Sequence, residues 1–168
     1  MKFVFYFVSS RGARTFTIKS HLNAIPIFGT RAEGIVYTYR PSAYAVIRNG
    51  AGEFAIARTP LACYLLGGGM EPGETPEQTI EREAKEECGL VLRPSALIGR
   101  AVEICYSAAE DSHFEKDSVF KAADVLDRVP PIEVDHELTW LKFPLAMETL
   151  THGSHRWAIE RFQELSGA

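Results

Sequence analysis

Cysteine is scarce in this chain of 168 residues, at three. Cys63, Cys88 and Cys105 show neither the even count of a disulfide framework nor the paired spacing of a metal-thiolate site, so buried thiols in a reducing compartment are expected. Positive charge is not in excess: 18 Lys and Arg stand against 22 Asp and Glu, a formal net charge of −4. That balance argues against broad attraction to a nucleic acid polymer or to anionic lipid, while leaving room for a small phosphorylated ligand held locally. No apolar run approaches the ~20 residues that cross a bilayer, so no membrane partner is expected. The run Met1–Val8 resembles a secretory leader, but Ser9, Ser10 and Arg11 interrupt it before any small-residue cleavage site. A first β-strand and a cytoplasmic location are the expectation. Internal repeats, low-complexity tracts and long linkers are absent from the sequence.

What is present is enough apolar material, 46% of residues, for one well-buried core. Residues 1–40 contain strand-forming stretches at Thr15–Ile18 and Ile35–Tyr39, broken by Pro26, Gly29 and Gly34. Arg40-Pro41-Ser42 reads as a bend. It leads into a hairpin with arms Ala43–Arg48 and Glu53–Arg58, joined through the turn-forming Asn49-Gly50-Ala51-Gly52. Cys63–Leu66 is a short strand that runs into Gly67-Gly68-Gly69. The pattern predicts a helix over Pro76–Cys88. Thr75 and Gln78 have the spacing of a capping box, Pro76 holds the first helical position, and Gly89 suits the left-handed stop. Further strands are expected at Ala96–Tyr106, Ser118–Leu126 and Leu138–Phe143. A second helix is expected from about Ser154 to Leu165, with Trp157, Ala158, Phe162 and Leu165 as its apolar stripe. Strands on both sides of a central helix, with another helix at the end, imply an α+β fold in which helices flank a mixed β-sheet, an α/β/α sandwich.

Chemistry concentrates on one face of the central helix. Glu83, Glu86 and Glu87 lie at i, i+3 and i+4, so their side chains share a face. Their mean direction is roughly 110° from that of Ile80, Ala84 and Cys88, which places the acids beside the buried stripe. Like charges at this spacing repel by about 0.2–0.5 kcal/mol per pair on an exposed helix. A hard divalent cation such as Mg²⁺ would convert that repulsion into attraction. Three glutamates on a helix are more often a solvated face. The strand ending in three glycines and the Pro-Gly turn before the helix shift the balance, because together they let backbone approach a phosphate.

The run from Gly68 to Leu90, GGMEPGETPEQTIEREAKEECGL, resembles the Nudix box. Gly68, Glu74, Arg82, Glu83, Glu86, Glu87, Gly89 and Leu90 hold the expected places, and Ala84 stands where the family has a larger aliphatic residue. Weaker likeness extends to the segments at 40–44, 136–140 and 154–158. Most of residues 33–165 fits, giving a Nudix domain over 33–168 and a β-rich extension over 1–32 packed on it.

The resemblance implies Mg²⁺-dependent hydrolysis, with Mn²⁺ as a substitute, of the diphosphate bond in a nucleoside diphosphate linked to another group. It implies Glu83, Glu86 and Glu87 as metal ligands. Glu83 or Glu87 would be general base, while Arg82 orients the acids and Glu74 braces the loop. Gly68, Gly69, Arg58 and Arg40 are candidates for substrate contact. Glu137, ahead of Glu133, Glu115 and Asp111, is the candidate for an extra ligand or base. The partner implied is a small nucleotide, and a homodimer is compatible with the family. The leading substrate is a nucleoside triphosphate, as for MutT-like members. ADP-ribose, dinucleoside polyphosphates and nucleotide sugars are the alternatives, and a non-catalytic nucleotide-binding regulator is a further one. Tyr106 and Trp140 are read as core residues, and His152 and His155 as surface histidines; with His113 and His136 they make no metal-type helical pair.

Overall fold

The glycine-rich strand lies at the edge of the main sheet, paired with one neighbouring strand, where bare backbone lets side chains from a helix approach closely. The computed structural model describes residues 24–133 and 135–167, so the expected strands at Met1–Val8 and Thr15–Ile18 lie outside the described residues. The elements are β1 (Ile27–Phe28), β2 (Thr38–Val46), β3 (Glu53–Arg58), β4 (Cys63–Tyr64), β5 (Leu66–Gly69), α1 (Pro76–Cys88), β6 (Leu90–Ser107), β7 (Ser112–Arg128), β8 (Glu137–Lys142), α2 (Phe143–Thr149) and α3 (Gly153–Ser166). A five-stranded mixed sheet runs β1-β6-β7-β2-β5, and a three-stranded sheet runs β4-β3-β8.

Alternation along β2 assigns the layers. Tyr44 and Val46 face a core shared with Ala146 and Leu150 and with Ala158 and Ile159 of α3. Ala43, Ala45 and Ile47 face a second core with Ile80 and Ala84 of α1. Helices therefore cover both faces of mixed β structure, as the sequence implied. α1 forms over the expected residues with its capping box intact: Thr75 accepts from the Gln78 backbone, Gln78 accepts from the Thr75 backbone, and Gly89 is left-handed at φ 63°.

Several expectations need correction. The turn at 49–52 forms, with Asn49 Oδ1 accepting from the Ala51 and Glu53 amides. Its two arms nevertheless enter different sheets: β2 pairs with β5 and β7, whereas β3 pairs with β4 and β8. Neither arm could bury both of its faces as a free hairpin, and crossing between sheets lets each do so. The expected bend at Pro41 lies inside β2. Its carbonyl accepts from the Met70 amide beyond the end of the β5 ladder, so the missing Pro N–H interrupts no pairing. Ile35–Tyr37 are not strand, and β6 and β7 are longer at both ends than expected because they pair with each other along 15 registered positions. β1 pairs in parallel with the edge of β6. The cysteines are free and only half-buried. Tyr106 is exposed, its hydroxyl donating to Asp111, and Leu165 lies outside the core.

His152 and His155 are buried, not surface residues. His155 Nδ1 accepts from the Leu65 amide at 3.1 Å, and its ring packs on Tyr44 with centroids 4.3 Å apart. Glu103 of β6 caps α3, accepting from the Ser154 amide at 2.8 Å. Burial, with Lys116 and Arg156 nearby, holds His152 down to about 3, and burial holds His155 well below its ordinary 6.5. A histidine whose folded value is depressed stabilises the fold above the unfolded value and loses that contribution as pH falls toward the folded one. The urea midpoint should therefore drop as pH is lowered from 6.5 toward 3. The non-titrating His152→Gln variant should show a shallower drop over that range, and an identical slope would contradict this account.

Candidate active site

The site begins at the glycine strand. Gly67 has φ +134°, and a Cβ there would lie 2.1 Å from the Ala43 carbonyl oxygen, so a side chain would break the β2–β5 pairing. A Cβ at Gly68 would lie 2.6 Å from Glu83 Oε1, and one at Gly69 would lie 2.6 Å from Arg40 Nε. A strip of bare backbone thus separates a carboxylate from α1 and a guanidinium from β2.

Arg82 organises the acids. Its Nε donates to Glu74 Oε1 at 2.7 Å, and its Nη1 lies 2.9 Å from Glu83 Oε1 and 3.2 Å from Glu86 Oε2. Its Nη2 reaches the Gly69 carbonyl at 3.2 Å. The guanidinium beside it, together with the Glu71 amide, holds Glu74 down to about 2. Glu74 also accepts from the Thr79 hydroxyl, which fastens the turn to the first coil of α1.

Glu87 has no such compensation. Desolvation, the Glu83 charge, and those of Glu133 and Glu86 push its carboxyl well above the ordinary carboxylate value, against a smaller opposing contribution from the Gly67 backbone. Its Oε2 is sealed from solvent and meets no hydrogen-bond donor among the described residues. Glu83 is likewise raised, first by desolvation, although Arg82 offsets part of it. Arg82 thus joins Glu83 and Glu86, the charges of both act on Glu87, and Glu87 Oε2 lacks a partner among the described residues. Hard carboxylate oxygens gathered with surplus negative charge fit a hard divalent cation.

The other expected residues are dispersed. Arg40 lies on the opposite side of the glycine strand from Glu83, paired with Glu110 and stacked over Phe114 at 5.2 Å. Arg58 and Glu137 face each other across β3 and β8, both exposed. Leu138 and Trp140 of β8 pack toward the α1 core. Alternation therefore directs Glu137 to the other face, and no hydrogen bond or ion pair joins it to the helix acids among the described residues. Its neighbour His136 is the residue that reaches the site, with Nε2 3.5 Å from Glu87 Oε1. Sequence reasoning missed His136 because it looked for ligand spacing on helices. The signal available was strand alternation from Leu138 and Trp140. A groove of about 400 Å³ lined by Pro26, Gly99, Arg100 and Trp157 lies at the β1 edge and includes none of these residues.

A raised carboxyl stabilises the fold below its unfolded value and loses that contribution as pH rises through the folded one. Without divalent cations, Glu87→Gln should therefore melt higher than the native protein at neutral pH, by about 2–4 °C for each kcal/mol gained. With saturating Mg²⁺ the order should reverse, because the cation stabilises the state that binds it. Scanning calorimetry with and without chelator measures both, and a variant that melts lower in chelator would contradict the account of Glu87.

Comparison with known proteins agrees with this geometry. The family model for the NUDIX domain matches residues 38–160. A Mycobacterium tuberculosis protein named Putative 8-oxo-dGTP diphosphatase 3 is 36% identical over 78 residues, which is 46% of this chain and 36% of that protein. The matched region thus spans about a third of the relative. Among solved structures, a MutT protein from Methanosarcina mazei superposes with a TM-score of 0.61 at 23% identity, covering 80% of this chain and 99% of that one. A Caenorhabditis elegans Ap4A hydrolase gives 0.60 at 21% identity over 77% of this chain and 99% of that one. A NUDIX hydrolase from Nitrosomonas europaea gives 0.59 at 17% identity over 76% and 90%. These structures share the fold, and the family match takes in the glycine strand, α1 and all three acids: the chain belongs to the Nudix family.

Proposed function

We propose that the chain hydrolyses the diphosphate bond of a nucleoside diphosphate linked to another group, with Mg²⁺ as cofactor and a nucleoside triphosphate as substrate. The observation that carries the reading is Glu83 against the bare backbone of Gly68, with Glu86 tied to the same Arg82 guanidinium and Glu87 Oε2 buried without a partner among the described residues. These three carboxylates would hold the ion, and Mn²⁺ would be accepted by the same oxygen donors. When bound, Mg²⁺ supplies charge neutralisation on the diphosphate and a more acidic water.

The chain's own groups do the rest. Arg82, anchored by Glu74, holds Glu83 and Glu86 in place through two ion pairs and ties them to the Gly69 carbonyl. Gly68 and Gly69 leave the space in which phosphate oxygens can approach the backbone. Water attacks phosphorus, the anhydride P–O bond breaks, and a carboxylate at Glu83 or Glu87 accepts the proton of the attacking water. Arg40, on the far side of the glycine strand, is assigned to a substrate phosphate, and Arg58 and Glu137 to the exposed rim. The triphosphate assignment is supported by the name of the Mycobacterium tuberculosis relative, whose match covers part of each chain.

Turnover should be measured with Mg²⁺ on unmodified and oxidised nucleoside triphosphates, ADP-ribose, dinucleoside polyphosphates and nucleotide sugars. Release of pyrophosphate from a triphosphate is expected, with kcat reduced about 10²–10⁴-fold in Glu87→Gln. Hydrolysis confined to another class would overturn the substrate assignment. Binding without hydrolysis of any member would overturn the catalytic one.

A further inference from the structure

The α3 face of the main sheet carries polar side chains that the helix acids do not use. Pairing across three strands lines up Arg40 of β2, Lys116 of β7 and Glu103 of β6. Arg40 shares its face with Tyr44, an even number of positions away, so its registered partners lie on that face too. Two of the three charges are engaged. Arg40 pairs with Glu110, and the Glu103 oxygens accept from the Gly153 amide at 3.4 Å and the Ser154 amide at 2.8 Å. Lys116 makes no hydrogen bond or ion pair among the described residues, and its Nζ lies 5.8 Å from the centroid of the Tyr64 ring. Burial, and less strongly the Arg40 charge, hold its ammonium below the ordinary value.

The same tyrosine ring packs on His152, with centroids 5.1 Å apart. His152 Nε2 is sealed from solvent and has no hydrogen-bond partner among the described residues. Glu103 Oε1 lies 3.8 Å from the other ring nitrogen, Nδ1. A carboxylate there favours the proton on Nδ1, which leaves Nε2 as a lone-pair acceptor. A buried acceptor without a donor is costly, and Lys116 is a group of donors without an acceptor. Tyr64 thus holds side by side two groups of opposite hydrogen-bonding character, neither of them used by the fold.

We propose that Lys116 and His152 read the base of the nucleotide, selecting bases that present a ring carbonyl beside a ring N–H, the lactam edge of guanine, hypoxanthine, uracil and thymine. Lys116 donates to the carbonyl oxygen, and His152 Nε2 accepts from the adjacent N–H. Adenine and cytosine present the reverse, an amino group beside a bare ring nitrogen. Their amino hydrogens would meet the ammonium, and their ring lone pair would meet that of Nε2. Lys116 stands two strands from the glycine strand, about 10 Å at ordinary strand spacing. Phosphates at Gly69 and Arg40 therefore leave a sugar and base to extend over β2 toward β7. Lys116 and Tyr64 are half-buried, so this place opens to solvent, and Tyr64 is the ring that turns for a base to reach Nε2.

The inference deepens the nucleotide reading and rests on it, so the test separates recognition from hydrolysis. Nucleoside monophosphates have no diphosphate bond to cleave. The full chain would be titrated by calorimetry with the monophosphates of guanosine, inosine, uridine, adenosine and cytidine. The first three should bind at least about 10-fold more tightly than the last two. In ¹⁵N NMR the Nε2 resonance of His152 should move with guanosine monophosphate and stay in place with adenosine monophosphate. Lys116→Met should bring the five affinities together, whereas Lys116→Arg, which keeps a charged donor, should retain the preference. Equal binding of all five by the native protein, no binding of any, or a preference unchanged in Lys116→Met would overturn the inference. Mg²⁺-dependent turnover of the triphosphates decides the hydrolase reading separately: base selection without turnover keeps this inference and removes that one, and turnover indifferent to the base does the opposite.

Discussion

The Arg82 guanidinium is the contact on which the arrangement of this site depends. It joins three things that the chain presents in sequence: the carbonyl of the glycine strand at Gly69, the carboxylate of the turn at Glu74, and the helix acids Glu83 and Glu86. A planar fork with five donors can serve several acceptors at fixed angles, which a lysine ammonium cannot do. Because its strongest contact is with Glu74, the charge of Arg82 is largely spent on bracing the turn. Glu83 is only partly relieved, and Glu87 makes no ion pair with it. The helix face therefore retains negative charge in a poorly solvated place, and that retained charge is what gives the site its capacity for a cation.

The glycines do complementary work. Side chains at Gly67 and Gly68 would collide with the Ala43 carbonyl and the Glu83 carboxylate respectively. A strand of bare backbone is thin enough for α1 to bring its acids against one face while Arg40 lies against the other. β2 makes this possible by being buried on both faces, with one core under α1 and the other under α3. The same two-sided burial explains why the arms flanking the turn at 49–52 separate into two sheets.

Much of the local structure was readable from residues 68–90, because every signal there is short-range. The capping box, the proline at the first helical position, the left-handed glycine and the i, i+3, i+4 acids each depend on neighbours within a few residues. The approach of Glu83 to Gly68 and of Arg82 to Glu74 follows from a compact strand–turn–helix in which all the partners are close in sequence. The reading of Pro41 as a bend failed for the opposite reason: whether a proline interrupts a strand depends on what lies beside its missing N–H, and here the β5 ladder has already ended. The histidines at 152 and 155 looked like surface residues beside a glycine and a serine. Their burial depends on β4, β5 and the cap from Glu103, which arrive from 50 to 90 residues away.

By itself, then, the sequence determined the helix, its caps, the run of glycines and the identity of the three acids, since these are set by dihedral preference and helical periodicity. The tertiary structure alone decided which further groups meet those acids. Glu137 was the expected addition, yet strand alternation turns it from α1 and turns His136 toward Glu87. A shift of one position in β8 exchanges the two, and nothing local fixes that register. It is set by the pairing of β8 with β3 and by the burial of Leu138 and Trp140 under α1, contacts made across some 80 residues of chain.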